Sequence, residues 1–394
     1  MGEDFFVEVD YQQKSYEGQR ICGDIFLSSK VKEENRIVVA LSDGMGHGVK
    51  ASVLATLTAT MAVNFTKEHK EPEKTAEIIM KTLPECSDRK MNYSTFTIID
   101  IEQSEKVTLL EYENPECILI RDRKIFSPDF KYIMLNGDLS CNKKIRVCTF
   151  SPLKGDRILF CTDGVTQSGM GTPRFPFGWG IDNVGRFTID IIKQFPQISA
   201  RNLAAKILNM AFRNDGFQSK DDSTCGVIYF REPRELLICT GPPYNKEDDV
   251  VLSAQVKEFR GKKIVMGATT GDIISRELEL KIEDVFKFED PDLPPINVME
   301  GIDLFTEGIL TLNKVEKILK VYNQNTKLGR GPADEIVKLI LESDAIKVII
   351  GTRINIAHQD PHLPVELEIR RTVVNRIAQL LEEKFLKKVI VSYI

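Results

Sequence analysis

Twice in this chain an apolar run rich in β-branched residues stops on Asp-Gly: Val38-Val39-Ala40-Leu41-Ser42-Asp43-Gly44 and Ile158-Leu159-Phe160-Cys161-Thr162-Asp163-Gly164. Such a run reads as a buried strand, so each carboxylate is fixed at the edge of a core rather than loose in solvent. After Asp43 the glycines recur at Gly44, Gly46 and Gly48. Nothing on a glycine blocks close approach, so carboxylate and main-chain carbonyl oxygens are offered together, as a hard divalent cation requires. By itself Asp-Gly is an ordinary strand-turn-helix corner. Two further acidic clusters in similar settings, Gly23-Asp24 ahead of Ile25-Phe26-Leu27 and Asp221-Asp222 ahead of residues 223–229, favour the metal reading.

Residues 30–35 form a polar loop between the strand-like runs 20–27 and 36–42. An antiparallel hairpin there brings Asp24 opposite Asp43. The segment 49–65 is rich in Ala and Leu, as a helix packed on a sheet is, and 73–83 is a second helix starting after Pro72. Residues 5–9 read as a short strand and 11–18 as a turn. Runs at 94–101, 106–112, 117–121 and 145–150 add an antiparallel sheet system. Asp156 reads as a turn residue, 170–180 as an irregular flap anchored by Trp179, and 182–194 and 200–211 as helices.

At 394 residues the chain exceeds one ordinary core, so two domains are expected. A net charge of -5 with dispersed Lys and Arg leaves no electrostatic footprint for nucleic acid or an anionic membrane. The N-terminus lacks a basic segment followed by a long apolar one, no run reaches bilayer-spanning length, and residence in the cytoplasm is the expectation. Gly2 is not a myristoylation signal, because position six is Phe6. The eight cysteines are scattered without a CxxC pair, which favours buried reduced thiols over disulfides or zinc.

Taken in order, Gly23-Asp24, Ser42-Asp43-Gly44-Met45-Gly46, Thr162-Asp163-Gly164 and Asp221-Asp222-Ser223-Thr224 resemble the motifs of the metal-dependent serine/threonine phosphatases of the type 2C class, in the bacterial branch typified by the stage II sporulation phosphatase. The resemblance covers residues 1–231. It implies an α+β fold in which a β-sandwich flanked by helices carries a binuclear Mn2+ or Mg2+ centre. The implied activity is hydrolysis of phosphoserine or phosphothreonine in a partner protein of the anti-sigma-factor-antagonist kind. By the same resemblance Asp43 is the bridging ligand, the Gly44 carbonyl and Asp24 belong to the first ion, and Asp163 and Asp221 to the second. Asp222 stands where Asn is common, which puts its contact with metal in question.

Two divalent cations sharing oxygen ligands acidify the water between them and neutralise charge on phosphoryl oxygens, so no protein nucleophile is needed. No cysteine sits in a Cys-x5-Arg loop. The leaving alkoxide still takes up a proton, and His47 is the best placed titratable side chain, with a supporting structural duty as its alternative. Arg20 reads as a surface residue. The rival functional reading is a phosphatase fold that binds without turnover.

The character of the sequence changes near Arg231, and 232–394 reads as a smaller α/β domain with strands at 235–239, 263–266 and 347–350 and helices at 312–322, 333–343 and 365–385. Residues 241–249 read as a polar turn. Two polar patches, one with Gly267, Thr269, Thr270 and Asp272 and another with Asp303 and Glu307, are candidate small-ligand loops, although no Walker lysine and no GxGxxG is present. On that reading the phosphatase domain regulates, or is regulated by, a ligand-binding or partner-binding domain. His358 and His362 are four apart, but Pro361 and Pro364 deny them a helix, and they read as unbound loop histidines.

Overall fold

The computed structural model describes residues 5–31, 33–82, 94–102, 106–134, 144–283, 285, 289–323, 326–353, 366–385 and 387–394. Cys86, Cys141, His358 and His362 lie outside the described residues. Two compact units, Met1–Glu232 and Pro233–Ile394, divide the chain.

The first unit runs β1 (Phe6–Lys14), β2 (Asp24–Val31), β3 (Arg36–Gly44), α1 (Val49–Lys67), α2 (Pro72–Thr82), β4 (Ser94–Glu102), β5 (Lys106–Tyr112), β6 (Ile118–Arg121), β7 (Lys124–Ile125), β8 (Lys131–Met134), β9 (Lys144–Phe150), β10 (Arg157–Cys161), α3 (Asp163–Thr166), α4 (Ile181–Gln194), α5 (Ala200–Asn214) and β11 (Ser223–Arg231). These strands make two antiparallel sheets, ordered β1-β11-β10-β6-β7 and β2-β3-β4-β5-β9-β8.

Side-chain alternation explains why β3 and β10 carry no polar face. Ile37, Val39 and Leu41 of β3 meet Ile158 and Phe160 of β10 and Ile228 and Phe230 of β11 in the core between the sheets. Val38 and Ala40 instead pack under Ala59 and Ala62 of α1 and Ile79 of α2. On the far side Leu159, Cys161 and Val227 pack under Leu203, Ala204 and Ile207 of α5. Both faces of these strands are therefore covered, with only Asp43 at the end of β3 half-buried, which gives a four-layer α-β-β-α sandwich. The described cysteines, Cys22, Cys117, Cys148, Cys161, Cys225 and Cys239, are free thiols, all buried except the half-buried Cys22.

The turn expected at 11–18 starts late, because β1 continues to Lys14. Its polar residues pair with buried β11 as far as Lys14 opposite Ser223, and Tyr11 stacks on Phe26 at 4.2 Å. Long-range pairing overrides local composition there. Asp156 is buried and accepts from Arg121 Nη2 at 2.6 Å and from Leu153 N at 2.8 Å. Trp179 is buried edge-on against Phe187.

The second unit runs β12 (Glu235–Thr240), α6 (Asp248–Glu258), β13 (Lys262–Met266), α7 (Ala268–Leu278), β14 (Ile282–Glu283), β15 (Val298–Met299), β16 (Leu304–Thr306), α8 (Ile309–Val321), α9 (Pro332–Glu342), β17 (Ala345–Ile350), α10 (Glu366–Glu383) and β18 (Lys388–Tyr393). Its main sheet is parallel, in the order β16-β13-β12-β17-β18. Ile238, Ile264 and Val348 face Val315 of α8, Ile336 of α9 and Val373 of α10. Leu237, Val265 and Ile349 face Leu252 of α6 and Ile274 of α7. Helices on both faces and a reversal of strand order between β12 and β17 define a doubly wound sheet.

Residues 248 and 249, assigned above to a polar turn, open α6 instead, where acidic side chains suit the first turn of a helix. Thr269, Thr270 and Asp272 lie in α7 rather than in a loop. The Gly-Ala-Thr-Thr-Gly composition lowers helix propensity, and the buried Ile273 and Ile274 supply the packing that outweighs it.

Buried Arg36 ties the sandwich to its helical layer. It makes two 2.7 Å bonds to the Asp100 carboxylate on β4 and a third to Thr66 O at the end of α1. Arg36→Met leaves Asp100 charged and undersolvated, and a loss of about 3 kcal/mol is expected. Urea unfolding checks it: the midpoint falls with the slope unchanged, and an unaltered midpoint contradicts this role.

Candidate metal centre

Four chain segments end at one edge of the sandwich. Asp24 opens β2 and stands directly opposite Asp43 near the end of β3. Asp163 opens α3 as the chain leaves β10, and Asp221 and Asp222 immediately precede β11. The neighbouring strands β10 and β11 keep their ends together through Thr162 N donating to Thr224 O at 3.0 Å.

Asp24 is fully buried, and its Oδ2 accepts hydroxyl hydrogen bonds from Thr162 and Thr224, both at 2.8 Å. Asp24 belongs to one sheet and the two threonines to the other strand system, so the carboxylate bridges the sheets. Gly44 N donates to Gly23 O at 3.3 Å, which links the two Gly/Asp corners. A Cβ at Gly23 would lie 2.8 Å from Asp222 Oδ2, and one at Gly164 would lie 2.2 Å from Asp222 O. These two glycines are what allow the acidic segments to come this close.

The electrostatics are those of crowded negative charge. Burial pushes the Asp24 carboxyl up to about 7, with the Asp222 and Asp221 charges adding to it and the two threonine hydroxyls opposing. Asp43 is raised by burial and then by Asp24, Asp163 and Asp221. Asp163 is raised by burial, with Asp43 and nearby backbone N–H groups opposing. Asp221 is pushed up to about 6 by burial and Asp163, with His47 pulling the other way. The half-buried Cys22 thiol is held protonated by burial and by the Asp24 and Asp222 charges.

A cation fits this donor set. Asp24 Oδ1 and Asp222 Oδ2 are buried with no hydrogen-bond partner, and buried carboxylate oxygens without donors demand a positive charge. Among the described residues no three His, Cys, Asp or Glu side chains close on one point as a finished metal cage. The carboxylates are gathered and mutually repelled, and an ion would draw them in.

Asp24, Asp43, Asp163, Asp221 and Asp222, the acidic residues singled out in the sequence, are thus brought to one edge, with Gly44 beside them. His47 is exposed on the following turn, its ring stacked 4.5 Å from Tyr16. Tyr16 N in turn donates to Asp222 Oδ1 at 2.9 Å. Arg20 is exposed. Sequence reading gave no role to Thr162, Thr224 or Gln167, whose Nε2 donates to Asp163 Oδ2 at 2.7 Å. Strand alternation carried a signal for the threonines, since Thr162 continues the inward parity of Phe160, and Thr224 that of Ile228.

This crowding fixes a pH dependence. The folded chain without metal keeps protons on Asp24 and Asp221 to about pH 7 and about pH 6, whereas both ionise near pH 4 when unfolded. Between those limits the folded state binds more protons, so stability falls as pH rises. In EDTA the melting temperature is expected to decline from about pH 5 to about pH 7.5, Asp24→Asn to flatten the slope, and Mn2+ to abolish it. A melting temperature that climbs across this window in EDTA contradicts the arrangement.

Comparison with known proteins follows the same residues. The family model of stage II sporulation protein E, SpoIIE, matches residues 33–231, a span containing Asp43, Asp163, Asp221 and Asp222. No curated protein matches the chain. Among solved structures, the phosphatase domain with a fragment of the regulatory domain of the cell fate determinant SpoIIE from Bacillus subtilis aligns at 16% identity and TM-score 0.47, covering 58% of this chain and 64% of that one. The chain thus spans less than two thirds of that structure. The RsbU and RsbW domains of a Mycobacterium tuberculosis protein align at 18% identity and TM-score 0.46, covering 64% of this chain and 67% of that one. RsbX in complex with magnesium aligns at 18% identity and TM-score 0.40, covering 58% and 98%. Because the matched segment, residues 33–231 of 394, runs from the loop before β3 to the end of β11 and takes in half of the chain, the protein belongs to the SpoIIE family.

Proposed function

We propose that residues 1–231 form a metal-dependent protein phosphatase domain acting on phosphoserine or phosphothreonine in a partner protein. The observation that carries this reading is the set of carboxylates gathered at one sandwich edge, two of them, Asp24 and Asp222, buried with an oxygen that has no donor. On this reading Asp24, Asp43, the Gly44 carbonyl, Asp163 and Asp221 would hold the Mn2+ or Mg2+ ions, and Asp222 would support the site. When bound, such ions acidify a water for attack on phosphorus and neutralise charge on the phosphoryl oxygens.

The protein's own contribution is placement. Thr162 and Thr224 fix the orientation of Asp24, and Gln167 fixes Asp163. Outer contacts of this kind tune metal affinity. On this reading His47, on the exposed turn with its ring stacked on Tyr16, gives a proton to the departing serine or threonine oxygen. Family membership supports a phosphoprotein substrate, of the anti-sigma-factor-antagonist kind implied by the sequence motifs. The described residues contain no helix long and apolar enough to cross a membrane, and the proposed setting is the cytoplasm.

With the full chain and Mn2+, hydrolysis of p-nitrophenyl phosphate and of a phosphoserine peptide is expected, and Asp43→Asn and Asp163→Asn each to lower kcat at least about a hundredfold. Absence of turnover in the wild type, or wild-type rates in both variants, rejects the assignment and favours a binding module. Thr162→Val should weaken Mn2+ affinity by about ten- to a hundredfold, read by calorimetry. An unchanged affinity there removes Thr162 from the centre.

A further inference from the structure

In the second unit two helices begin side by side at the carboxyl edge of the parallel sheet. The adjacent strands β13 and β16 end at Met266 and Thr306, and the chain passes through Gly267 into α7 and through Glu307 and Gly308 into α8. Gly267 N donates to Thr306 O at 2.8 Å, and a Cβ on Gly308 would lie 3.6 Å from Gly267 Cα. Gly267 has φ +99, a left-handed conformation that suits glycine. Among the described residues no side chain caps either helix. First-turn N–H groups that a helix cannot satisfy itself therefore converge from α7, of 11 residues, and α8, of 13 residues. Such a place accepts an anionic oxygen.

Buried side chains point the same way independently. The third residue of each helix is a threonine, Thr270 at 1% and Thr311 at 0% exposure, and neither hydroxyl has a hydrogen-bond partner. Thr270 Oγ1 faces the Gly267 turn, 3.6 Å from where a Gly267 Cβ would stand. Beside this corner lies a cleft of about 390 Å³ with walls from Ala268, Val285, Pro294, Pro295 and Phe305, and with Asn297, Thr306 and Glu307 as polar lining. Glu307 Oε2 is buried there with no hydrogen-bond partner.

A doubly wound sheet takes ligands outside the carboxyl ends of its strands, commonly where strand order reverses. At that reversal, between β12 and β17, the described residues of the two loops lie against one another. Gly351 N donates to Thr240 O at 2.9 Å, Arg353 N donates to Pro242 O at 3.1 Å, and a Cβ on Gly351 would lie 2.1 Å from Gly241 O. The cleft described here lies beside β13 and β16.

We propose that this cleft binds a nucleotide. The proline and valine walls suit a flat ring, the Glu307 carboxylate accepts from N–H or O–H donors of base or sugar, and the paired helix starts with Thr270 take the phosphate. Of the candidate loop residues, Glu307 lines the cleft, and Gly267 and Thr270 stand at the start of α7 beside it. Thr269 and Asp272 are exposed on α7, and Asp303 is held by Lys262 at 2.6 Å.

Calorimetry on the full chain in EDTA, which withholds any metal-borne phosphate affinity from the first unit, tests it with AMP, GMP, adenosine and inorganic phosphate. Saturable binding of AMP or GMP is expected, with adenosine and phosphate each at least tenfold weaker. Ala268→Glu places a carboxylate at the start of α7, where the helix tolerates it, and should weaken the nucleotide at least tenfold more than it weakens adenosine. Glu307→Gln should weaken the nucleotide and leave inorganic phosphate unchanged. If Glu307→Gln fails to fold, Ala268→Glu alone decides. No binding of either nucleotide, equal affinity for adenosine and AMP, or nucleotide binding unaltered by Ala268→Glu overturns the proposal.

Discussion

The first unit depends on one placement: a fully buried carboxylate, Asp24, held between two sheets by hydroxyls from Thr162 and Thr224. Burying a carboxylate is costly unless donors or a cation compensate, and two hydroxyls satisfy only one of its oxygens. Asp43, Asp163 and Asp221 then crowd charge of the same sign around it. The rest of the sandwich gives this edge its rigidity. Strands covered on both faces fix where each chain end emerges, and α1 and α5 hold the outer layers against them.

The same arrangement explains why the acidic residues are positioned before any ion arrives. Carboxyls whose ionisation is held back by burial and by one another come near without full charge, so an ion that draws them together also displaces protons. Glycines at the corners are part of that economy of space: a side chain at Gly164 would overlap the backbone of Asp222.

Much of the first unit was legible because its signals are local. An apolar run that ends on Asp-Gly states both the strand and the placement of its acid, and the hairpin pairing Asp24 with Asp43 follows from one polar loop. Thr162 and Thr224 could be assigned roles only once the strand parity and the facing sheet were known. The extension of β1 to Lys14 was hidden because its polar residues are kept in the strand by a partner more than 200 residues away. In the second unit the mixture of strands and helices was readable, but α7 was masked by glycines and threonines that disfavour a helix locally. The ligand corner was half visible. The Gly267 and Glu307 patches stood out, while Asp272 and Asp303 shared their composition without their position. Only parallel pairing of β13 with β16 separates the two pairs.

The most direct measurement is the anomalous difference map from crystals grown or soaked with Mn2+. Two peaks are predicted at the sandwich edge, both against Asp43, one also against Asp24 and the Gly44 carbonyl and the other against Asp163 and Asp221. Manganese bound elsewhere, with those carboxylates untouched at saturating ion, would contradict the account.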